Sequence, residues 1–127
     1  MEIKNIFRKI YRWEYLWLCL IVLATLAMHF SVITTPDELI LDEHHYIKDA
    51  RYVIENSETE RPEHPPLSKI CITYGVRILG DNPWGWRVPS VIAGTIGIIL
   101  FYFIVRRLKL PHGTASLCTF LFAFENF

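Results

Sequence analysis

Asp42 and Glu43 stand side by side, followed by His44, His45 and Tyr46, and a second acid and histidine, Glu63 and His64, precede Pro65-Pro66-Leu67-Ser68-Lys69. Side chains of these types can take a proton from a hydroxyl or hold a metal ion. Plainer roles stand beside these. Apolar or aromatic residues at Tyr46, Ile47, Ala50, Val53 and Ile54 have the spacing of an amphipathic helix over 42–55. Asp42 and Glu43 then lie at its N-terminal end, where a carboxylate is a common cap and the helix dipole favours negative charge. The histidines invite a metal reading, but adjacent His44 and His45 point about 100° apart on a helix and cannot form an i, i+4 ligand pair. His45 with Asp49 has that spacing, a two-ligand set that arises often by chance.

The elements that carry these residues follow from how charge is distributed. The 127 residues are 52% hydrophobic, with 13 basic against 13 acidic side chains, a balance that argues against a disordered or nucleic-acid-binding chain. No Asp, Glu, Lys or Arg occurs over 15–33 or 88–105. Runs of that length reach about 28 Å as helix, enough to cross a bilayer core. The first follows a basic, amphipathic 1–14 stretch and has no small-x-small cleavage site before Thr34-Thr35-Pro36-Asp37, so it is expected to be a retained anchor. The second follows Trp84 and Trp86, which suit a headgroup-level belt, and a third apolar run begins at Thr114. Cys19, Cys71 and Cys118 form no paired spacing and suggest neither a disulfide framework nor a zinc site.

Lys4, Arg8, Lys9 and Arg12 precede the first span, and Arg106, Arg107 and Lys109 follow the second. By the positive-inside rule both flanks are cytoplasmic. Residues 34–87, with ten acids against six bases, then lie outside, beyond the reach of cytosolic nucleotide-activated donors. Within this loop Thr35-Pro36-Asp37-Glu38 reads as a capping box that starts a helix. The stretch 56–66, with Pro62, Pro65 and Pro66, reads as extended. A helix is expected over 67–79, with Leu67, Ile70, Cys71, Tyr74 and Ile78 on one face and Gly80 ending it, lying at the membrane interface. The organisation expected is therefore 1–14 cytoplasmic, 15–33 span, 34–87 outer loop, 88–105 span, 106–113 cytoplasmic and 114–127 the start of a third span. Ser90-x-x-x-Gly94 and Ala93-x-x-x-Gly97 form small-residue stripes that allow close helix packing.

Leu41-Asp42-Glu43-His44-His45-Tyr46, then Glu63-His64-Pro65-Pro66-Leu67-Ser68-Lys69, then Gly85-Trp86-Arg87-Val88-Pro89-Ser90 make an ordered set. In order and context it resembles the dolichyl-phosphate-mannose-protein mannosyltransferase family in its archaeal and bacterial form, polyprenyl-phosphate-sugar glycosyltransferases of the C-type membrane fold. The set departs from the family at Ser68, where Gly is usual. Relatives carry many further spans, so the resemblance implies that Phe127 ends an N-terminal fragment of a larger enzyme.

The fold so implied is all-α and integral to the membrane, the first spans of a polytopic C-type glycosyltransferase with a helical outer loop. The activity implied is transfer of a hexose, mannose in the first instance, from a polyprenyl-phosphate sugar to a hydroxyl, with protein Ser/Thr as the expected acceptor, on the outer face with inversion. Such chemistry needs a carboxylate to take the acceptor proton and cationic stabilisation of the departing phosphate. The resemblance makes Asp42 the general base and Glu43 its support or the group that orients the acceptor. Glu63 and His64 would bind acceptor or join the loop segments, Tyr46 would buttress Asp42, and Lys69 and Arg87 would meet the lipid phosphate. A divalent cation, with His44, His45 and His64 as candidate ligands, stays open. The partners implied are the lipid-linked donor, a protein or lipid hydroxyl and the bilayer, without nucleic acid. Two rivals remain: a non-catalytic membrane subunit, and a relative that glycosylates lipid. Two spans and part of a third offer little surface to enclose donor and acceptor, so the 127 residues alone are expected to bind weakly and not to turn over.

Overall fold

The structure, a computed structural model, describes residues 2–59 and 66–125. Its elements are five α-helices: α1 (Glu2–Val32), α2 (Glu43–Asn56), α3 (Pro66–Leu79), α4 (Pro83–Arg107) and α5 (His112–Phe124). Two helical segments, Tyr15–Val32 and Pro83–Arg107, are long and apolar enough to cross a membrane, whereas α5 is too short. The second helix starts before the charge-free run, so Arg87 lies in its first turns rather than in a preceding loop.

The chain divides into two compact units, Met1–Met28 with Gly94–Phe127, and His29–Ala93. In the first, Leu18, Tyr102, Val105 and Ala115 form one apolar cluster and Ile21, Ile98 and Ala123 another. Its buried threonines, Thr25 and Thr119, return their hydroxyl protons to carbonyls of their own helices, Thr119 Oγ1 lying 2.8 Å from the Ala115 carbonyl. A Cβ placed on Gly94 or Gly97 would meet nothing within 4 Å, so these small-residue positions do not mediate helix packing among the described residues.

The His29–Ala93 unit is built around α2 and α3. Ile47 and Ala50 of α2 meet Ile72 and Val76 of α3 and Trp86 of α4, with Leu39, Tyr46 and Ile54 packed around them. Burial of such side chains contributes about 1.5–3 kcal/mol each. The apolar stripe read on α3, Leu67, Ile70, Cys71, Tyr74 and Ile78, is exposed, and the opposite side, Lys69, Ile72, Thr73, Gly75 and Val76, is buried. Both faces of this helix are largely apolar, so periodicity alone cannot choose between them.

Two short connections fix where the helices end. Gly80, at φ +91°, closes α3 with its amide on the Val76 carbonyl. Asn82 then serves both neighbours, its Nδ2 donating to the Leu79 carbonyl at 2.9 Å and its Oδ1 accepting from the Trp84 amide at 3.0 Å, with Pro83 in the first helical position of α4. Pro89 lacks the amide that would otherwise bond the Gly85 carbonyl. That carbonyl faces Gly75 of α3, where any Cβ would collide with it and with the Pro89 ring. Glycine at 75 is therefore what lets α3 and α4 approach here.

Candidate functional site

The strongest feature of this unit is a cationic hub. Arg87 donates from Nε to Glu43 Oε1 at 2.8 Å and from Nη2 to Glu43 Oε2 at 3.0 Å, a bidentate pair. Its Nη1 also donates to the carbonyls of Ile33 at 2.7 Å and Pro36 at 2.8 Å, and Nη2 donates to that of Glu38 at 3.1 Å. All five guanidinium protons are thus used. The chain from Ile33 to Glu43 wraps this one side chain, and Glu43 completes the wrap by accepting the Ile40 amide at 3.2 Å. These contacts overturn the capping box expected at Thr35: residues 33–38 form turns and bends, because their carbonyls serve a guanidinium some fifty residues away.

Asp42 sits differently from its neighbour. It occupies the N-cap position of α2 with no side-chain cap hydrogen bond, and only its carbonyl is engaged, by the His45 and Tyr46 amides at 3.0 and 3.2 Å. Its carboxylate is exposed and makes no hydrogen bond or ion pair among the described residues. Leu41, just before it, has φ 45°, a left-handed conformation that is strained for a residue with a side chain. The strained step turns the Arg87-bound loop into the helix and puts Asp42 at the corner. The adjacent carboxylates are therefore divided, one tied down and one free.

Electrostatics separates them further. The hydrogen bond from Arg87 holds the Glu43 carboxyl below its ordinary value of 4.5, against an opposing effect of burial and with help from the Ile40 amide. A second clamp joins α2 to the α3–α4 turn: Arg51 grips Asp81 through Nε at 2.7 Å and Nη2 at 3.1 Å, and Trp86 Nε1 donates to the same carboxylate at 2.7 Å. Arg51 chiefly, opposed by burial and aided by Trp86, lowers the Asp81 carboxyl from its ordinary 3.8. With its indole proton so engaged, Trp86 can bury its ring beside Arg87.

The other expected site residues fall in several places. Lys69 is buried rather than poised at a headgroup: its Nζ lies 3.0 Å from Asp49 Oδ2, with the two side chains 6% and 2% exposed. Arg87 has no donor left for a phosphate in this arrangement. Tyr46 packs against the α2–α3 core, and it is the Tyr46 amide that reaches Asp42. His44 and His45 are exposed, and the His45–Asp49 spacing makes no ligand pair because Asp49 is turned inward to Lys69. Among the described residues no three His, Cys, Asp or Glu side chains converge on a metal position. Glu63 and His64 lie outside the described residues. A cleft of about 530 Å³ lined by Val53, Thr59, Pro66, Lys69, Ile70 and Tyr74, among others, does not include Asp42 or Glu43.

The ordered pair, the loop that presents it and the apolar helices around it can be set beside known proteins. The model of the dolichyl-phosphate-mannose-protein mannosyltransferase family matches residues 63–126. The chain belongs to that family. It is 31% identical over 96 residues to a polyprenol-phosphate-mannose--protein mannosyltransferase of Mycobacterium tuberculosis, covering 71% of this chain and 18% of that protein. It is 34% identical over 76 residues to the protein of the same name from Mycolicibacterium smegmatis, 55% of this chain and 15% of the relative. An undecaprenyl phosphate-alpha-4-amino-4-deoxy-L-arabinose arabinosyl transferase of Pseudomonas aeruginosa is 33% identical over 61 residues, 48% of this chain and 11% of the relative. No solved structure matches the chain significantly. The chain thus spans less than a fifth of the length of each of these three relatives. The family match begins at Glu63, so Asp42 and Glu43 precede it.

Reading the sequence alone missed Arg51, Asp81 and the pairing of Asp49 with Lys69, which make two of the three ion pairs of this unit among the described residues. Asp49 had one signal: it falls on the same helical face as Tyr46, Ile47, Ala50 and Val53, where an acid needs a partner if it is buried. Asp81, beside Gly80 and Asn82, looks like ordinary turn polarity, and only the fold shows Arg51 and Trp86 converging on it.

Proposed function

We propose that this chain supplies the acceptor-activating corner of a membrane glycosyltransferase. The enzyme moves a hexose, mannose in the first instance, from a polyprenyl-phosphate sugar to a hydroxyl on the extracytoplasmic face, with inversion at the anomeric carbon. The observation that carries the reading is the division of the acid pair: Glu43 is held by the Arg87 fork, while Asp42 beside it is exposed and uncommitted. In this reading Asp42 takes the acceptor proton as the hydroxyl attacks the anomeric carbon, the bond from that carbon to the lipid phosphate oxygen breaks, and the lipid phosphate leaves with the electron pair. Glu43 and Arg87 are positioning residues. They hold the Ile33–Glu43 loop so that Asp42 stands at a fixed corner. The cation that steadies the departing phosphate is then neither Arg87 nor Lys69, and His64 stands as the candidate from the second box.

Residues 34–87 face outward, with spans at 15–33 and 88–105 and basic cytoplasmic flanks. The exposed apolar stripe of α3, Leu67, Ile70, Tyr74 and Ile78, lies in the outer interface. The second reading keeps the chemistry and takes a lipid hydroxyl as acceptor; the likeness to an arabinosyl transferase supports a donor sugar other than mannose as well.

The test follows radiolabel from polyprenyl-phosphate mannose in membranes holding the protein as expressed from its own gene. Label in a protein fraction that alkali releases supports transfer to Ser/Thr. Label confined to lipid moves the acceptor to the lipid hydroxyl of the second reading, and no transfer from this or any other polyprenyl-phosphate sugar overturns the reading.

A further inference from the structure

Asp49 has no part in the chemistry above, yet it is among the most deeply buried polar residues of the chain, its side chain 2% exposed. It does not stand there alone. Lys69 Nζ lies 3.0 Å from its Oδ2, the Thr59 hydroxyl stands 3.1 Å from each carboxylate oxygen, and Lys69 donates to Thr59 Oγ1 at 2.9 Å. Burying an acid and a base together is rarely the most stable choice, since desolvation offsets much of their attraction. What such a pair does well is fix register, because a slipped helix leaves both charges buried and unpaired.

The three residues come from places where register matters. Asp49 lies about two turns beyond Asp42 on α2, Lys69 lies three residues into α3, and Thr59 is on the chain leaving α2. The network therefore ties the first turn of α3 to the middle of α2 and to the residues that follow it. The apolar contacts around it, Ile47 and Ala50 against Ile72 and Val76, are non-directional and tolerate a shift. The ion pair does not. We propose that Asp49 and Lys69 are positioning residues for sugar transfer, which lock α3 against α2 and so hold in place the helix whose N-terminus carries Asp42. This rests on the glycosyltransferase reading with Asp42 as base, and it removes Lys69 from the groups that touch the lipid phosphate.

The two roles for Lys69 separate in single and paired substitutions read as kcat and donor KM. Asp49→Asn, Lys69→Met and the pair Asp49→Leu with Lys69→Met are assayed in the membrane-embedded protein with polyprenyl-phosphate mannose, each corrected for the amount of folded protein. As positioning residues, each single change lowers kcat about tenfold or more with donor KM within about twofold, and the double change recovers most of the loss because both members of the pair leave together. If a single variant fails to accumulate, recovery in the double variant still gives the result. Donor KM raised about tenfold or more in Lys69→Met and in the double variant, with Asp49→Asn near wild type, would place Lys69 on the phosphate and overturn the proposal alone. A wild-type protein that transfers no sugar from any polyprenyl phosphate would overturn both this proposal and the reading beneath it.

Discussion

Two acids of α2 end in arginine or lysine pairs, and they are built to different ends. Glu43, at the start of the helix, is a quarter exposed and shares its guanidinium with three backbone carbonyls, so its pair organises a loop. Asp49, farther along, is buried with Lys69 and the Thr59 hydroxyl, so its pair organises helix against helix. In the partly exposed pair either member can lose its partner and let water take its place. The buried pair cannot, because water does not replace a counterion taken from a site only 2–6% exposed. Between them stands the lesson for function: of the adjacent pair at the start of α2, Glu43 is accounted for as structure and Asp42 is the one still free to do chemistry.

The comparison breaks most visibly in activity. Asp42→Asn should lower sugar transfer about 100-fold or more, the size of a lost general base, with the thermal midpoint unchanged because no contact of its side chain is lost. Next in size is the buried pair: Lys69→Met should destabilise the protein by about 3–5 kcal/mol, while Lys69→Met combined with Asp49→Leu should come back close to wild type, read as midpoints in detergent. The partly exposed pair should give less. Arg87→Lys keeps the charge but loses the planar fork, and the expected cost is about 1–3 kcal/mol with faster protease cleavage between Thr34 and Leu41. Gly75→Ala falls in the same range, about 1–3 kcal/mol, because its methyl group meets the Gly85 carbonyl and the Pro89 ring, and those are backbone and a rigid side chain that yield little.

The smallest effect is set by pH. The Glu43 carboxyl is held below its ordinary 4.5 in the folded protein, so its contribution is fully present above that value and is lost as pH falls through the lowered one. Asp81, lowered from 3.8, adds to the loss at still lower pH. Proteolysis of the 33–43 loop should therefore be flat from neutrality to about pH 5 and rise below about 4.5. A loop equally protected at pH 3 would mean that the Arg87 carbonyl contacts alone hold it.

The helices and the acid pair were legible in the residue order because they depend on local spacing. Tyr46, Ile47, Ala50, Val53 and Ile54 define α2 by periodicity, and Gly80 marks the end of α3 by its left-handed backbone. What was not legible depends on groups far apart in sequence. Thr35-Pro36-Asp37-Glu38 carries the letters of a capping box, but the Arg87 fork 49 to 54 residues away claims its neighbours' carbonyls. Lys69 looks like a surface cation until Asp49 is brought to it, and α3 looks singly amphipathic until Ile72 and Val76 turn out to be its inner face. The α2 helix stops at Ser57 in a left-handed conformation usually left to Gly or Asn, so its C-terminus had no conventional mark.

The division of labour at residues 42 and 43 is tested most directly by measuring transfer rate and thermal midpoint together for Asp42→Asn and Glu43→Gln in the membrane-embedded protein. The account predicts that Asp42→Asn melts like wild type and transfers no measurable sugar, while Glu43→Gln melts lower because the loop around Arg87 loosens. An Asp42→Asn protein that still transfers sugar at near the wild-type rate, or one that loses stability as Glu43→Gln does, would contradict it.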